Sequence, residues 1–91
     1  MTPEGKTKKK ITEVLKAHGA YYEMPVPTGF GKSGLDYTGC HKKRFFSIEA
    51  KAPGKKPTPR QELTIKAIEN AGGKVFVIDG DCSQLESWLN E

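Results

Sequence analysis

The chain has 91 residues and a formal net charge of +4 at pH 7, a length that suits one domain with a small core. Its two cysteines, Cys40 and Cys82, have neither a CxxC nor a Cys/His zinc spacing, which favours a reduced protein over a disulfide-stabilised secreted one. The Lys-rich N-terminus has no apolar signal segment, and no run is long enough to cross a bilayer. We therefore expect a cytoplasmic domain that is independent of membranes.

The positive charge is concentrated in the first two thirds of the chain. Residues 1–60 hold 13 Lys and Arg against 5 Asp and Glu, whereas residues 61–91 hold 2 against 6. Such a distribution attracts a polyanion and suggests nucleic acid as a partner, with a solvated basic surface as the alternative. The basic residues that we expect to contact phosphates are Lys8, Lys9, Lys10, Lys32, Lys42, Lys43, Arg44, Lys55 and Lys56.

The N-terminal segment predicts a helix. Thr2 suits the N-cap and Pro3 the first helical position. Apolar residues then recur at helical spacing as far as Leu15, and Gly19 suits the C-terminal cap. Glu4, in the first turn, either favours the positive end of the helix dipole or belongs to a functional site.

A short strand and a glycine-rich segment follow the first helix. Residues 20–24 predict a strand, which Pro25 and Pro27 end or confine to an edge of the sheet. Residues 29–34 match GxGxxG, and residues 31–33 within them resemble the end of a Walker A motif. A nucleotide-binding loop needs a helix after it, and here a strand follows. We interpret the glycines instead as a loop that allows a phosphate to approach closely.

The next segment predicts a β-hairpin that carries two carboxylates. Aromatic and β-branched residues mark the arms at 35–39 and 44–50, and the polar residues 40–43 form the turn. Pairing about the centre of that turn places Asp36 directly opposite Glu49. Opposed carboxylates repel one another unless a positive charge lies between them, so the pattern predicts a divalent metal site.

The last third of the chain predicts a helix, a strand and a short helix. Thr58 and Gln61 match a capping box, which explains Gln61 without any function. The apolar run at 75–78 predicts a strand that is buried on both faces and parallel to the second arm of the hairpin. Ser83 and Glu86 match a second capping box. The stripe of the longer helix that we expect to be buried comprises Leu63, Ala67, Ile68 and Ala71.

An acidic residue on one strand and Glu-x-Lys on the next resemble the PD-(D/E)XK nuclease superfamily. More narrowly, the chain resembles the VRR-NUC (virus-type replication-repair nuclease) family over nearly its whole length, although Leu35 stands where that family often has proline. The segments that carry the resemblance, in the family's order, are Glu4, Gly34-Leu35-Asp36, Glu49-Ala50-Lys51 and Pro57-Thr58-Pro59-Arg60-Gln61.

The resemblance implies a fold and a chemistry. The element order α-β-β-β-α-β-α predicts a mixed β-sheet flanked by helices in one α/β domain, residues 1–91, and the resemblance implies its restriction-endonuclease-like form. It implies a metal-dependent DNA endonuclease in which Asp36, Glu49 and the Ala50 carbonyl hold Mg²⁺ or Mn²⁺. Lys51 either orients the nucleophile or pairs with Glu49, whereas Asp36 has no simple ion-pair partner in the sequence. The implied catalytic set is Glu4, Asp36, Glu49, Lys51 and Gln61.

The expected substrate is branched DNA, with a four-way (Holliday-junction-like) structure favoured. One carboxylate cluster cuts one strand, so two coordinated incisions predict a two-fold symmetric homodimer. Stand-alone chains this short in the family resemble bacteriophage-encoded members, which implies the cytoplasm of the host cell. The alternatives are an inactive DNA-binding module, a subunit of a larger nuclease, or a protein-interaction domain; the last explains the fold but not the opposed carboxylates.

Overall fold

The computed structural model describes residues 1–26 and 34–91. Residues 29–33 of the predicted phosphate loop at 29–34 lie outside the described ranges, and so does the predicted phosphate contact of Lys32. No helix in the described ranges combines the length and the apolar character that a membrane span requires. In chain order the elements are α1 (Pro3–Ala17), β1 (Tyr21–Glu23), β2 (Tyr37–His41), β3 (Arg44–Ala50), α2 (Pro59–Asn70), β4 (Lys74–Ile78) and α3 (Ser83–Leu89), which confirms the predicted order.

The strands form one mixed sheet in the order β1-β2-β3-β4, in which β1, β2 and β3 are antiparallel and β4 is parallel to β3. The parallel pairing of β4 confirms the prediction, but its burial on both faces is wrong. Phe76 and Ile78 are buried, whereas Val77 is 45% exposed. The reason is that β4 lies at an edge of the sheet and α2 covers its outer face only in part.

The β2–β3 hairpin closes through a two-residue turn. Lys42 and Lys43 both have positive φ values, 53° and 68°, as a type I′ turn requires to match the twist of the strands. His41 pairs with Arg44, so the predicted centre of the turn is confirmed. The turn is tighter than predicted, because residues 40 and 41 belong to β2, and this strand begins only at Tyr37.

The hydrophobic core joins α1 and α3 to one face of the sheet. The Trp88 ring of α3 makes edge contacts with Phe46 and Phe76, at centroid distances of 5.9 and 5.6 Å. The Tyr37 hydroxyl donates to the Lys8 carbonyl of α1 at 2.8 Å. The buried cluster comprises Ile11, Leu15, Tyr37, Phe46, Ile48, Ala50, Phe76, Ile78, Leu85, Trp88 and Leu89.

Helix α2 covers the opposite face of the sheet incompletely. Gln61, Ile65 and Ile68 are half-buried, at the spacing of one helical face. Leu63, which lies on the far side of the helix from them, is 71% exposed, and no side chain of α2 is fully buried. The predicted buried stripe is therefore wrong for Leu63, Ala67 and Ala71, which are exposed, whereas Ile68 lies on the half-buried face. The helix is rotated so that Gln61 reaches Glu49 of the sheet.

The two outer helices differ in how they begin. Thr2 caps α1 as predicted, since its Oγ1 accepts the Gly5 N–H at 3.0 Å. The predicted capping box of α3 is wrong, because the N-cap is Cys82 and it makes no side-chain cap hydrogen bond. The Ser83 N–H instead donates a hydrogen bond to Asp81 Oδ1 at 2.9 Å.

Candidate functional site

Asp36 and Glu49 lie together where β3 ends. The hairpin register pairs Tyr37 with Ile48. Because the strands are antiparallel, Asp36, the residue before Tyr37, lies opposite Glu49, the residue after Ile48. Asp36 directly precedes β2, and its Oδ2 accepts the Ala50 N–H at 2.8 Å. The hairpin therefore brings the two carboxylates together as the sequence predicts.

The Glu49 carboxylate is buried, with 4% of the residue exposed. Burial raises the pKa of Glu49, the negative charge of Asp36 raises this pKa further, and Lys51 partly opposes the shift. Glu49 Oε2 accepts a hydrogen bond from Gln61 Nε2 at 2.9 Å and lies 3.4 Å from Lys51 Nζ. One carboxylate oxygen is thus held by both an amide and a cation.

The amide group of Gln61 forms hydrogen bonds with both the cap of α2 and Glu49. Its Oε1 accepts the Thr58 N–H at 2.9 Å, and Thr58 Oγ1 accepts the Gln61 N–H at 3.2 Å, which confirms the capping box. Its Nε2 donates a hydrogen bond to Glu49 Oε2. The sequence left open whether Gln61 belongs to the helix cap or to the site, and the structure shows contacts of both kinds.

Lys8 connects α1 to the carboxylates. Its Nζ lies 3.5 Å from Asp36 Oδ1 and 3.6 Å from Glu4 Oε2. Burial lowers the pKa of Lys8, but the charges of Asp36 and Glu4 outweigh it and the net shift is upward. The sequence predicted that Lys8 either faces solvent or contacts phosphate. Its spacing from Glu4 indicated their i,i+4 pair, but no local pattern connected that pair to Asp36.

Each carboxylate of the pair therefore has a lysine partner. Lys8 approaches Asp36 and Lys51 approaches Glu49. The sequence argument that Asp36 has no simple ion-pair partner is wrong, because that partner comes from a helix distant in the chain. The like-charge contact between the carboxylates is partly compensated by protein groups alone.

The oxygen-rich donor set fits a hard divalent cation. Asp36 and Glu49 supply carboxylates from neighbouring strands, and Ala50, whose N–H is bound by Asp36, comes directly after Glu49. Within residues 1–26 and 34–91, no three or more His, Cys, Asp or Glu side chains form a group that could hold a metal. A metal here would rest on two carboxylates, with the Ala50 carbonyl and water completing its coordination.

The exposed lysines of the predicted phosphate-binding set occupy three places. Lys9 and Lys10 lie on α1, Lys43 lies at the hairpin turn, and Lys55 and Lys56 follow β3 at the carboxylate end of the sheet. From the turn to the carboxylates, β3 rises by about 3.3 Å per residue, or roughly 16 Å in all. Lys43 and the Lys55–Lys56 pair thus lie at opposite ends of β3.

Two residues that are predicted to contact phosphates also form contacts with Trp88 and Glu91. Lys42 Nζ donates to the Glu91 carbonyl at 2.9 Å. Arg44 donates to Glu91 Oε1 and to the Trp88 carbonyl, both at 3.0 Å, and its guanidinium lies 4.1 Å above the Trp88 ring. These contacts give Lys42 and Arg44 a structural role that the sequence did not indicate.

The structure defines the class of this protein as a mixed α/β domain with a paired carboxylate site at one end of its four-stranded sheet. Comparisons with models of protein families, with curated protein sequences and with solved structures found no match for the chain.

Proposed function

We propose that this protein is a metal-dependent DNA endonuclease that uses Mg²⁺ or Mn²⁺. The observation that carries the proposal is the opposed pair of Asp36 and Glu49, with Lys51 Nζ 3.4 Å from Glu49. Burial of a carboxylate beside a second carboxylate destabilises a fold. A binding site for a cation gives this arrangement a functional reason.

The chain's own residues have separate roles in this proposal. A bound metal supplies Lewis-acid stabilisation of the phosphate and lowers the pKa of a coordinated water. Lys51, whose side chain is only 13% exposed, is held by Glu49 so that its ammonium stabilises charge on the scissile phosphate. Gln61 and Glu4 act as positioning residues, Gln61 by its hydrogen bond to Glu49 and Glu4 through Lys8.

Cleavage of a panel of linear, flapped and branched DNAs tests this function, with Mg²⁺, Mn²⁺ or a chelator present. We expect Asp36→Asn and Glu49→Gln each to lower the cleavage rate by at least about 100-fold, as removal of a transition-state-stabilising group does. Glu13→Gln, which changes an exposed carboxylate of α1, serves as the matched control. Near wild-type cleavage by either site variant would contradict the proposal.

We also propose that two copies act together on branched DNA, with a four-way junction as the favoured substrate. The described residues contain one opposed carboxylate pair, and a two-fold dimer supplies a second one symmetrically. The outer surface of α2, where Leu63 is 71% exposed, offers apolar area for a second copy to cover. Size exclusion with light scattering, followed by cleavage of junction and linear duplex, tests this. A monomer that prefers linear DNA would contradict the dimer and leave the nuclease in place.

The two lysine contacts favour one second candidate, a DNA-binding module without activity. In that case Lys8 and Lys51 neutralise Asp36 and Glu49 permanently, and no metal is needed. The melting temperature separates the candidates, because a ligand that binds only the folded state stabilises it. Mg²⁺ or Mn²⁺ should raise the melting temperature of the wild type but not that of the Asp36→Asn/Glu49→Gln double variant. DNA binding with no cleavage and no metal-dependent stabilisation would favour the inactive module.

A further inference from the structure

The sheet face that carries Glu49 also presents a row of exposed side chains. The register pairs Tyr21 with Cys40 and Cys40 with Phe45, and paired residues of antiparallel strands project to the same face. Tyr21 is 64% exposed, Phe45 is 44% exposed, and Cys40 between them is also exposed. Glu49 lies on the same face of β3, about 13 Å further along the strand from Phe45 at about 3.3 Å per residue.

Phe45 is also a wall of a groove that has a volume of about 930 Å³. The groove lies between the C-terminal half of α2 and the beginnings of β3 and β4, and Ala67, Ile68 and Ala71 line its helical side. A Cβ atom on Gly73 would come within 2.7 Å of Ile68 and 2.8 Å of the Phe45 ring. The glycine therefore lets the ring and the helix close the bottom of the groove.

The rim of this groove is basic. Lys43 and Lys74 line it together with Arg44, whose guanidinium is already paired with Glu91 at 3.0 Å, and no Asp or Glu of the described residues lines the groove itself. Next to the groove, the Tyr21 hydroxyl donates to Glu23 Oε1 at 2.9 Å. That hydrogen bond joins two exposed side chains of β1.

Exposed aromatic rings on a surface with a basic rim can bind single-stranded nucleic acid, since bases stack on the rings and phosphates meet the cations. Here the cations lie beside Phe45. An acidic peptide would also meet the cations. It would leave unexplained why flat rings are exposed on two strands of one open face. Duplex DNA meets cations equally well but presents no free base to a ring.

We propose that Tyr21, Phe45 and the adjoining groove form a stacking surface for unpaired nucleotides. It would hold the single strand that leaves a branch point, on the sheet face that also carries Glu49. The place of this surface in a reaction rests on the proposed nuclease function, whereas the binding itself requires neither metal nor cleavage. The surface therefore specifies the substrate as DNA with an unpaired segment next to a duplex.

Fluorescence anisotropy with a labelled short oligothymidylate, in the presence of a chelator, tests the surface without any cleavage. We expect Phe45→Leu, which keeps an apolar side chain in the groove, to weaken binding about 10-fold, as loss of one stacked base does. Tyr21→Ala should weaken it similarly, and Tyr21→Phe should not. Val77→Ala is the matched control, because Val77, at 45%, is about as exposed as Phe45, at 44%, but has no ring.

Unchanged oligothymidylate binding in both Phe45→Leu and Tyr21→Ala would overturn the proposal. It would also be overturned if these variants lost as much affinity for duplex DNA as for oligothymidylate. A labelled acidic peptide with a terminal phenylalanine provides the competing measurement. Suppose that the wild type binds this peptide, that Phe45→Leu weakens the binding, and that the protein does not bind oligothymidylate. The surface is then a protein-docking site and the proposal is wrong. Binding of oligothymidylate through these rings without any cleavage of DNA would contradict only the proposed nuclease function.

Discussion

At the scale of single residues, Gln61 joins the cap of α2 to the buried carboxylate of Glu49. We expect Gln61→Ala to lower the free energy of unfolding by about 1–2 kcal/mol, because the cap loses an acceptor and Glu49 loses a donor. Gln61→Glu keeps the capping box but removes the donor and adds a negative charge. Both variants should also lower kcat in the cleavage assay.

Thr58→Ala provides the control for these variants, because it removes the Oγ1 cap and leaves the amide of Gln61 able to reach Glu49. We expect urea unfolding to show a loss of stability of about 1 kcal/mol, with kcat unchanged. If Thr58→Ala lowered kcat as much as Gln61→Ala does, the contact between Gln61 and Glu49 would have no role in the reaction.

The raised pKa of Glu49 predicts a pH dependence of stability. In the unfolded chain Glu49 ionises near its ordinary pKa of 4.5, whereas burial and then Asp36 raise the pKa in the fold. Between these values the folded state binds more protons, so Glu49 makes the protein less stable as pH rises through that window. With a chelator at pH 7, Glu49→Gln should therefore raise the melting temperature by about 4–8 °C, or about 1 kcal/mol.

This gain should shrink as the pH falls below 4.5, because Glu49 is then neutral in both states. Glu69→Gln, at an exposed position of α2, should change the melting temperature little at any pH. Thermal unfolding followed by circular dichroism across the pH range measures both variants. A gain at pH 4 as large as that at pH 7 would contradict the assigned cause.

At the scale of elements, the rotation of α2 leaves Leu63 71% exposed. We expect Leu63→Ser to change the free energy of unfolding of the monomer by less than about 0.5 kcal/mol, as for most surface substitutions. The control is Leu85→Ala in α3, where a side chain with no exposed surface is truncated and the expected cost is about 2–5 kcal/mol. Urea unfolding at a concentration where light scattering gives a monomer measures both.

A cost of about 2 kcal/mol or more for Leu63→Ser would mean that α2 packs with its other face towards the sheet. The same variant should weaken self-association if the second copy covers this surface, and light scattering as a function of protein concentration detects that change. The stability of the monomer and the affinity of the dimer are thus measured separately.

At the scale of the whole molecule, the excess of positive charge in residues 1–60 predicts DNA binding that weakens steeply with salt. Lys55 and Lys56 are exposed at the carboxylate end of the sheet and suit this test. We expect Lys55→Gln/Lys56→Gln to weaken binding of all DNA sequences and to flatten the slope of log K against log salt concentration by about 2.

Lys66→Gln is the control for this double variant, because Lys66 is an exposed lysine of α2 in the acidic third of the chain. Lys42 and Arg44 are unsuitable for the test, since their contacts with Trp88 and Glu91 would be lost together with the charge. A salt slope equal to that of the wild type would exclude Lys55 and Lys56 as phosphate contacts.

The sequence by itself determined the features that depend on short spacings. Thr2 and the Thr58–Gln61 pair specify helix starts because their side chains reach backbone groups only a few residues away. The position of the hairpin turn specifies the strand register, and the two-residue period of strands then places Asp36 opposite Glu49. The candidate metal pair was therefore predictable.

Only the tertiary structure decided which surfaces of these elements meet. The apolar residues of α2 fit more than one rotation of the helix, and its contact with the edge strand β4 selected the rotation that exposes Leu63. The contacts of Lys8 with Asp36, and of Arg44 with Trp88, join segments distant in the chain. Local spacing carries no information about such contacts, because they depend on how separate elements pack around one core.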